Sequence, residues 1–170
     1  LRGAIPVFVD CDPKTLNMCP VQVEAAITKN TKCIVPVHYA GVSCEMSELI
    51  GLVENKDIFI VEDAAQAIGS KYCGKPVGTF GSVSTFSFHN TKNIVCGEGG
   101  AFILNDKDFV SSAEIFREKG TDRSRFMNGE VDKYSWVSLG SSFLLSELCA
   151  ATISGQLANL EKITSYRVNL

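Results

Sequence analysis

The sequence lacks the features typical of membrane proteins and nucleic-acid-binding proteins. No apolar run approaches the roughly 20 residues that a membrane-spanning helix requires. Lysine and arginine form no block, and 19 acidic against 16 basic residues give a net charge of −3. Because a basic surface is what attracts phosphate backbones and anionic lipids, we expect neither nucleic acid nor a membrane as a partner.

The sequence also lacks the motifs of metal centres, of nucleotide-binding loops and of the nucleophile elbow of hydrolases. The seven cysteines are scattered without a CxxC pair, and the two histidines show no metal-ligand spacing. The chain contains no GxxxxGK loop, no GxGxxG loop and no GxSxG elbow. An odd number of isolated cysteines fits a reducing compartment such as the cytoplasm. The sequence therefore predicts no metal site and no disulfide framework.

What the sequence does contain is an alternation of short apolar runs with helical patterns. The apolar runs predict strands at 5–9, 33–37, 58–61, 83–88 and 101–104. Helical periodicity predicts helices beginning at Pro20 and Ser43, and over 108–119 and 144–163. Residues 120–142 show no period and predict a long loop. This order indicates a three-layer α/β/α fold with a mainly parallel sheet, covered on both faces.

Polar residues whose side chains could take part in binding or catalysis lie at the ends of three predicted strands. They are His38, Asp63, Ser87, His89 and Lys92. In open α/β sheets ligands bind beyond the carboxyl ends of the strands, so these side chains could converge on one crevice. The glycines in GEGG, at 97–100, are typical of a turn before the next strand.

Residue chemistry alone leaves the roles of these side chains open. A partly desolvated lysine can act as a nucleophile, although most lysines are solvated surface residues. Asp63 could bind a metal, contact a ribose, pair with a protonated ring nitrogen or cap a helix. Ser87 could donate to a phosphate or satisfy the backbone. The two histidines could be acid–base groups or structural residues.

The order of several motifs along the chain indicates a protein family. VPVHYAG, VEDAAQA, FSFHNTKN, GEGGA and REKGTDR together resemble the DegT/DnrJ/EryC1/StrS family of sugar aminotransferases. These enzymes belong to the fold-type I class that depends on pyridoxal phosphate. The resemblance runs over the whole chain and implies the central part of the large, cofactor-binding domain. We therefore expect residues 1–170 to be truncated at both ends, without an N-terminal segment and a C-terminal small domain.

The resemblance also implies a role for each matching residue. Lys92 would form the Schiff base with pyridoxal phosphate, and Asp63 would pair with the pyridinium nitrogen of the cofactor. Gln66 would reach the phenolic oxygen of the ring, and Ser87 would hydrogen-bond the phosphate. His89 and His38 are candidates for the substrate pocket.

One motif departs from the common pattern of the family. Many members have GxNxR where this chain reads GSSFL, with Ser142 at the asparagine position. The resemblance implies that Ser142 contacts the cofactor phosphate of the partner subunit in a homodimer.

The reaction implied by the resemblance is transfer of an amino group from L-glutamate to a nucleotide keto-sugar. LRGAIPVFVD and GEVDKYSWVSLGSSFLLSEL resemble members that aminate the 4-keto group of a dTDP-4-dehydro-6-deoxyhexose. Two alternatives stay open, namely another nucleotide keto-sugar as substrate and a fragment without catalytic activity.

Overall fold

The computed structural model describes residues 3–170 as an alternation of strands and helices. The strands are β1 (Cys33–Ile34), β2 (Phe59–Asp63), β3 (Lys71–Tyr72), β4 (Lys75–Pro76), β5 (Val83–Ser87) and β6 (Gly100–Leu104). The helices are α1 (Pro20–Ala26), α2 (Met46–Val53), α3 (Val110–Arg117), α4 (Arg123–Met127), α5 (Glu147–Leu157) and α6 (Leu160–Val168). Short 3₁₀ turns lie at Tyr39–Gly41 and Lys107–Phe109. Within this described range, no helix is both long and apolar enough to cross a membrane.

The main sheet has four strands in the order β1-β2-β5-β6. β1 pairs with β2 and β2 pairs with β5 in parallel, whereas β6 is antiparallel to β5 at the edge. β3 and β4 form a separate small hairpin on the connection between β2 and β5. The predicted mainly parallel α/β sheet is therefore confirmed, with its antiparallel member next to the Lys92 segment.

Helices cover both faces of the sheet. Successive strand residues point to opposite sides, so each face offers side chains for packing. On β2, Ile60 packs into a buried cluster with residues of α1 and α2, including Val23 and Leu49. Its neighbour Phe59 points the other way and makes an edge-to-face contact with Phe109, which precedes α3. The strands thus form the middle of three layers, as the sequence predicts.

The predicted strand at 5–9 is not formed. Among the described residues nothing pairs with this segment, and most of its apolar side chains are exposed, with Ile5 at 87% and Phe8 at 92%, whereas Val9 is half-buried against the core. A strand needs the N–H and C=O groups of a neighbour, and an apolar sequence pattern does not supply one. The nearest ladder contact is an isolated bridge between Cys11 and Met18.

The predicted helix at 144–163 is two helices. Ser146 caps α5 by accepting a hydrogen bond from the Cys149 N–H, and the helix ends before Asn159. The side-chain Nδ2 of Asn159 donates to the Gly155 carbonyl at 3.0 Å, and the Asn159 backbone leaves helical geometry. Asparagine side chains compete with the backbone in this way, which explains a break that the periodicity did not predict.

Two further predictions were wrong in extent. The strand at 33–37 contracts to two residues because Pro36 has no N–H for the ladder, although Val37 still bridges to Asp63. The predicted loop at 120–142 contains the short helix α4.

We expect Gly81→Ala to destabilise the fold by about 2–3 kcal/mol because it would crowd well-packed backbone. A Cβ at Gly81 would lie 2.5 Å from the Ile60 carbonyl oxygen. Gly51→Ala in α2 is the matched control, since a Cβ there meets nothing within 4 Å. It should raise the free energy of unfolding by about 0.5–1 kcal/mol. Denaturant titration measures both values, and equal stability of the two variants would contradict the assignment.

Candidate active site

Three strands bring their carboxyl ends to one edge of the sheet. β2 ends at Asp63 and its parallel neighbour β5 ends at Ser87, two residues beyond the Thr85 that pairs with Asp63. The chain that leaves β1 joins them, because the His38 N–H donates to the Asp63 carbonyl at 3.0 Å. The geometry expected of ligand sites in parallel sheets is therefore present.

Lys92 lies at the tip of a turn that begins directly beyond β5. The turn is closed where the Phe88 N–H donates to the Gly99 carbonyl at 2.8 Å. The Lys92 N–H donates to the His89 carbonyl at 2.9 Å, which tightens the tip. GEGG thus forms the return of the turn and leads into β6, as its glycines indicate.

The Lys92 turn is fixed from α5. Ile94 is fully buried and packs against Ile153. The Gln156 side chain accepts a hydrogen bond from the Val95 N–H at 3.0 Å and donates to the Val95 carbonyl at 2.5 Å. Gln156 was missed in the sequence because nothing local marks a helical glutamine as the partner of a distant turn.

Lys92 and Gln66 line the same cavity, which has a volume of about 270 Å³. The other lining residues are Ala40, Ala65, Ile68, Thr91 and Asn93. This volume lies near the lower limit of roughly 300 Å³ for small-molecule sites. A second cavity of about 360 Å³, between α3 and the sheet, is mainly apolar and contains no titratable residue. The cavity with Lys92 is therefore the better candidate for chemistry.

The orientation of the Gln66 amide is defined by the neighbouring loop. Its Oε1 accepts a hydrogen bond from the Ala40 N–H at 2.7 Å. Ala40 adopts a left-handed backbone conformation with φ of 52°, which is uncommon for alanine. Because Oε1 is engaged, Gln66 can present its NH₂ group to a ligand as a hydrogen-bond donor.

Asp63 and Ser87 lie at the same sheet edge and are half-buried. The Asp63 Oδ1 accepts a hydrogen bond from the Ala65 N–H at 3.0 Å, as in a turn-capping aspartate. The Ser87 Oγ accepts from the His89 N–H at 3.3 Å, which leaves its hydroxyl hydrogen for donation. Both residues thus stabilise local backbone and keep further hydrogen-bonding capacity.

The structure brings His89, but not Ser142, next to the Lys92 turn. His89 Nδ1 lies 2.9 Å from the Thr91 hydroxyl, and its Nε2 lies 3.5 Å from an oxygen of the exposed Glu98. Ser142 is exposed and forms an isolated backbone bridge with Glu118. Within this chain, Ser142 does not line the cavity that contains Lys92.

His38 is not in the cavity, and its surroundings argue against the substrate-pocket role that the sequence suggested. The side chains of His38 and Glu62 are both 0% exposed, and His38 Nε2 lies 3.1 Å from Glu62 Oε2. The other ring nitrogen, Nδ1, accepts a hydrogen bond from the Cys44 N–H at 3.1 Å. Both ring nitrogens are therefore occupied by protein groups.

Glu62 is a fully buried charged residue for which the sequence predicted no role. Besides His38, its carboxylate accepts hydrogen bonds from the N–H groups of Gly78, Phe80 and Gly81, at 2.8, 2.6 and 2.7 Å. Burial alone would raise the pKa of Glu62, but these four donors outweigh it and hold the pKa below its usual value of 4.5. The alternation of β2 was the available signal, since it places Glu62 on the face of the buried Ile60.

Comparison with solved structures defines the class of the protein. 3-Amino-5-hydroxybenzoic acid (AHBA) synthase superimposes with a TM-score of 0.84 and 36% identity, over 94% of this chain and 41% of that one. Helicobacter pylori PseC, an aminotransferase involved in the biosynthesis of pseudoaminic acid, gives 0.83 and 33%, over 92% and 41%. Spr1654 from Streptococcus pneumoniae, solved in PLP and PMP forms, also matches, at TM-scores of 0.79 and 0.85. The fold is that of the pyridoxal-phosphate-dependent aminotransferases.

Sequence comparison narrows this class to one family. The sequence model of the DegT/DnrJ/EryC1/StrS aminotransferase family matches residues 1–170, and the chain belongs to that family. GDP-perosamine synthase from Escherichia coli O157:H7 is 38% identical over 166 residues, which are 97% of this chain and 43% of the relative. The chain thus spans about two fifths of the length of such relatives. The family resemblance predicted from the motifs is confirmed.

The aminotransferase class implies a pyridoxal phosphate cofactor, and the residues of the cavity and sheet edge fit that cofactor. The cavity has nearly the size of a small-molecule site, and its wall supplies a primary amine from Lys92 and an amide donor from Gln66. A carboxylate from Asp63 and a hydroxyl from Ser87 stand at the same sheet edge. A cofactor with an aldehyde, a phenolic oxygen, a basic ring nitrogen and a phosphate matches this set of groups.

Glu62→Gln should lower the free energy of unfolding at neutral pH by about 3 kcal/mol, because it breaks a buried hydrogen-bonded pair. A folded-state pKa below 4.5 means that the Glu62 carboxylate stabilises the fold above that pH. This contribution is lost as the pH falls through the folded-state pKa. The free energy of unfolding should therefore fall less steeply with decreasing pH in the variant than in the wild type.

Denaturant titrations from pH 7 to pH 3 measure this difference. Glu24→Gln on the exposed side of α1 is the control and should stay within about 0.5 kcal/mol of the wild type. If the free energy of unfolding fell equally with decreasing pH in Glu62→Gln and in the wild type, the assigned role of this carboxylate would be contradicted.

Proposed function

We propose that the protein carrying this chain is a pyridoxal-phosphate-dependent aminotransferase that aminates a nucleotide keto-sugar. The observation that carries the proposal is the shared cavity of Lys92 and Gln66 at the carboxyl edge of a mainly parallel sheet. Membership of a sugar-aminotransferase family supports the same reaction class. Residues 1–170 would be the central part of the large domain of the enzyme.

When bound, pyridoxal phosphate supplies an electron sink that stabilises negative charge on the carbon next to the amine. The Lys92 Nζ would hold the cofactor covalently and then move a proton at that carbon. Gln156 holds the turn through the backbone of Val95 and so fixes the position of the backbone from which the Lys92 side chain extends. A positioned base is worth roughly 10²- to 10⁴-fold in rate.

The other site residues would bind and orient the cofactor. The Asp63 carboxylate would pair with the ring nitrogen and keep it protonated. The Gln66 NH₂ group would donate to the phenolic oxygen, because its Oε1 is already held by Ala40. The Ser87 hydroxyl would donate to the phosphate. His89, on the Lys92 turn, would contact the substrate.

Ser142 would act outside the cavity of its own chain. It is exposed at the end of the segment that follows α4. We propose that it contacts the phosphate of the partner subunit in a homodimer. This assignment rests on its position in the motif that corresponds to GxNxR.

For substrates, we propose L-glutamate as amino donor and dTDP-4-dehydro-6-deoxyhexose as acceptor, giving dTDP-4-amino-4,6-dideoxygalactose in the cytoplasm. Support comes from the resemblance of segments 1–10 and 129–148 to enzymes of that specificity. DesI, solved in the presence of its TDP-sugar product, matches with a TM-score of 0.80. GDP-perosamine synthase favours a GDP-linked acceptor as the second candidate. A piece without activity is the remaining alternative.

Lys92→Ala should abolish covalent retention of pyridoxal phosphate and lower the transamination rate at least about 100-fold, because no other amine of residues 3–170 lines the cavity. The measurement is borohydride reduction of the loaded protein, followed by peptide mapping of the adduct. Lys29→Ala, at an exposed position after α1, is the control and should behave as the wild type. An adduct mapped to another lysine, with activity intact in Lys92→Ala, would refute the assignment.

The nucleotide preference can be tested with two matched acceptors. With L-glutamate as donor, we expect kcat/KM to be about tenfold or more higher for the dTDP-linked than for the GDP-linked 4-dehydro-6-deoxyhexose. Mass spectrometry and NMR of the aminated sugar give the product and its configuration at C4. A preference for the GDP-linked sugar would support the second candidate. Absence of both cofactor binding and product would support the inactive-fragment alternative.

A further inference from the structure

We propose that the buried pair His38–Glu62 is a positioning element of the cofactor site, acting through the loop that holds Gln66. The inference rests on the proposed function, because it assigns Gln66 to the cofactor. The link consists of three adjoining pieces, namely a fixed carboxylate on β2, a histidine with a defined tautomer and the loop 38–41.

The first piece is the fixed carboxylate. Glu62 receives three backbone N–H groups of the turn 78–81 in addition to His38, so the position of its carboxylate is fixed by four contacts. It lies directly beside Asp63 in the chain, on the opposite face of β2. A displacement of the Glu62 side chain would therefore strain the strand that carries Asp63.

The second piece is the tautomer of His38. Nδ1 must accept, because it faces the N–H of Cys44, and so the ring hydrogen lies on Nε2 and is donated to Glu62. The backbone of the histidine is held as well, since its N–H donates to the Asp63 carbonyl and the Asp63 N–H donates to Pro36. His38 is thus bound to both acidic residues of β2.

The third piece is the loop that starts at His38. Two residues on, the Ala40 N–H binds the Gln66 Oε1 at 2.7 Å, and Ala40 itself lines the cavity. The neighbouring Gly41 carbonyl accepts the Ser70 hydroxyl at 2.7 Å. Ala40 keeps its left-handed conformation only while the loop is held at both ends. The Glu62–His38 pair fixes the His38 end, while the buried Asn17 holds the middle of the loop by accepting a hydrogen bond from the Tyr39 N–H at 2.9 Å.

The consequence is a specific coupling. When His38 loses its hydrogen bond to Glu62, the loop should shift and the Ala40 N–H should no longer fix the Gln66 amide. The Gln66 NH₂ group would then sample orientations that do not point at the cofactor. The His38 side chain is fully buried and does not line the cavity, so we assign it as a positioning residue.

Two matched variants separate the hydrogen bonds of His38. His38→Gln retains an N–H donor toward Glu62, whereas His38→Asn retains an acceptor for the Cys44 N–H and loses the donor. In the cofactor-free protein carrying this chain, His38→Asn should accelerate hydrogen exchange of the Ala40 amide about tenfold relative to the β5–β6 ladder. His38→Gln should stay close to the wild type.

The loaded protein provides a second readout. His38→Asn and Gln66→Ala should shift the absorption band of the bound pyridoxal phosphate in the same direction. The double variant should shift it no further, because both changes remove the same contact. Additive shifts, or a wild-type spectrum and wild-type Ala40 exchange in folded His38→Asn, would overturn the proposal and leave a purely structural pair.

Two results would otherwise confuse the test, and each has its own answer. If His38→Asn does not fold, Glu62→Gln takes its place, because it breaks the same pair from the carboxylate side and should likewise release the Ala40 amide. Wild-type exchange of the Ala40 amide in that variant would overturn the proposal. If the wild-type protein binds no pyridoxal phosphate, the proposed function fails. The exchange comparison still tells whether the pair positions the loop.

Discussion

The structure depends above all on one buried carboxylate. Glu62 lies in the middle layer without contact to water, a position that costs several kcal/mol for an unpaired charge. Its four hydrogen-bond donors come from segments 16 to 19 residues ahead and 24 residues behind in the chain. Those donors can assemble only in one arrangement of the turn 78–81, β2 and the chain that leaves β1. The charge therefore selects a single packing of the residues beside the site.

The turn 78–81 is shaped by this constraint. Gly78 has a φ of 91°, and a Cβ there would lie 2.6 Å from the Phe86 ring. Gly81 approaches the backbone of Ile60 closely enough to exclude any side chain. The glycines thus allow backbone N–H groups to reach a carboxylate that side-chain donors could not reach in the same space. The turn therefore hydrogen-bonds the buried carboxylate and packs closely at the same time. It also fixes the point at which β5 begins.

The sequence predicted the mainly parallel sheet from its apolar runs and the family from its motifs, and the placing of Lys92 and Gln66 in one site followed only from the resemblance to that family. It did not predict what depends on distant partners. His38 looked like a pocket residue until its two nitrogens were found to face Cys44 and Glu62. Gln156 is 61 residues from the Val95 that it holds, and no local pattern encodes that contact. The unpaired segment 5–9 shows the same limit, since an apolar run does not identify the strand that would pair with it.

Glu62 and Asp63 are adjacent acids with different tasks, and only the pleat of β2 keeps those tasks apart. A slip of one residue in the pairing of β2 with β5 would turn the carboxylate of Asp63 into the interior and that of Glu62 to the other face. The interior donors would then face a shorter side chain. Insertions or deletions within β2 are therefore far more damaging than substitutions there. In a family alignment, the distance from this acidic pair to the lysine should vary in the loops, whereas the length of β2 should not.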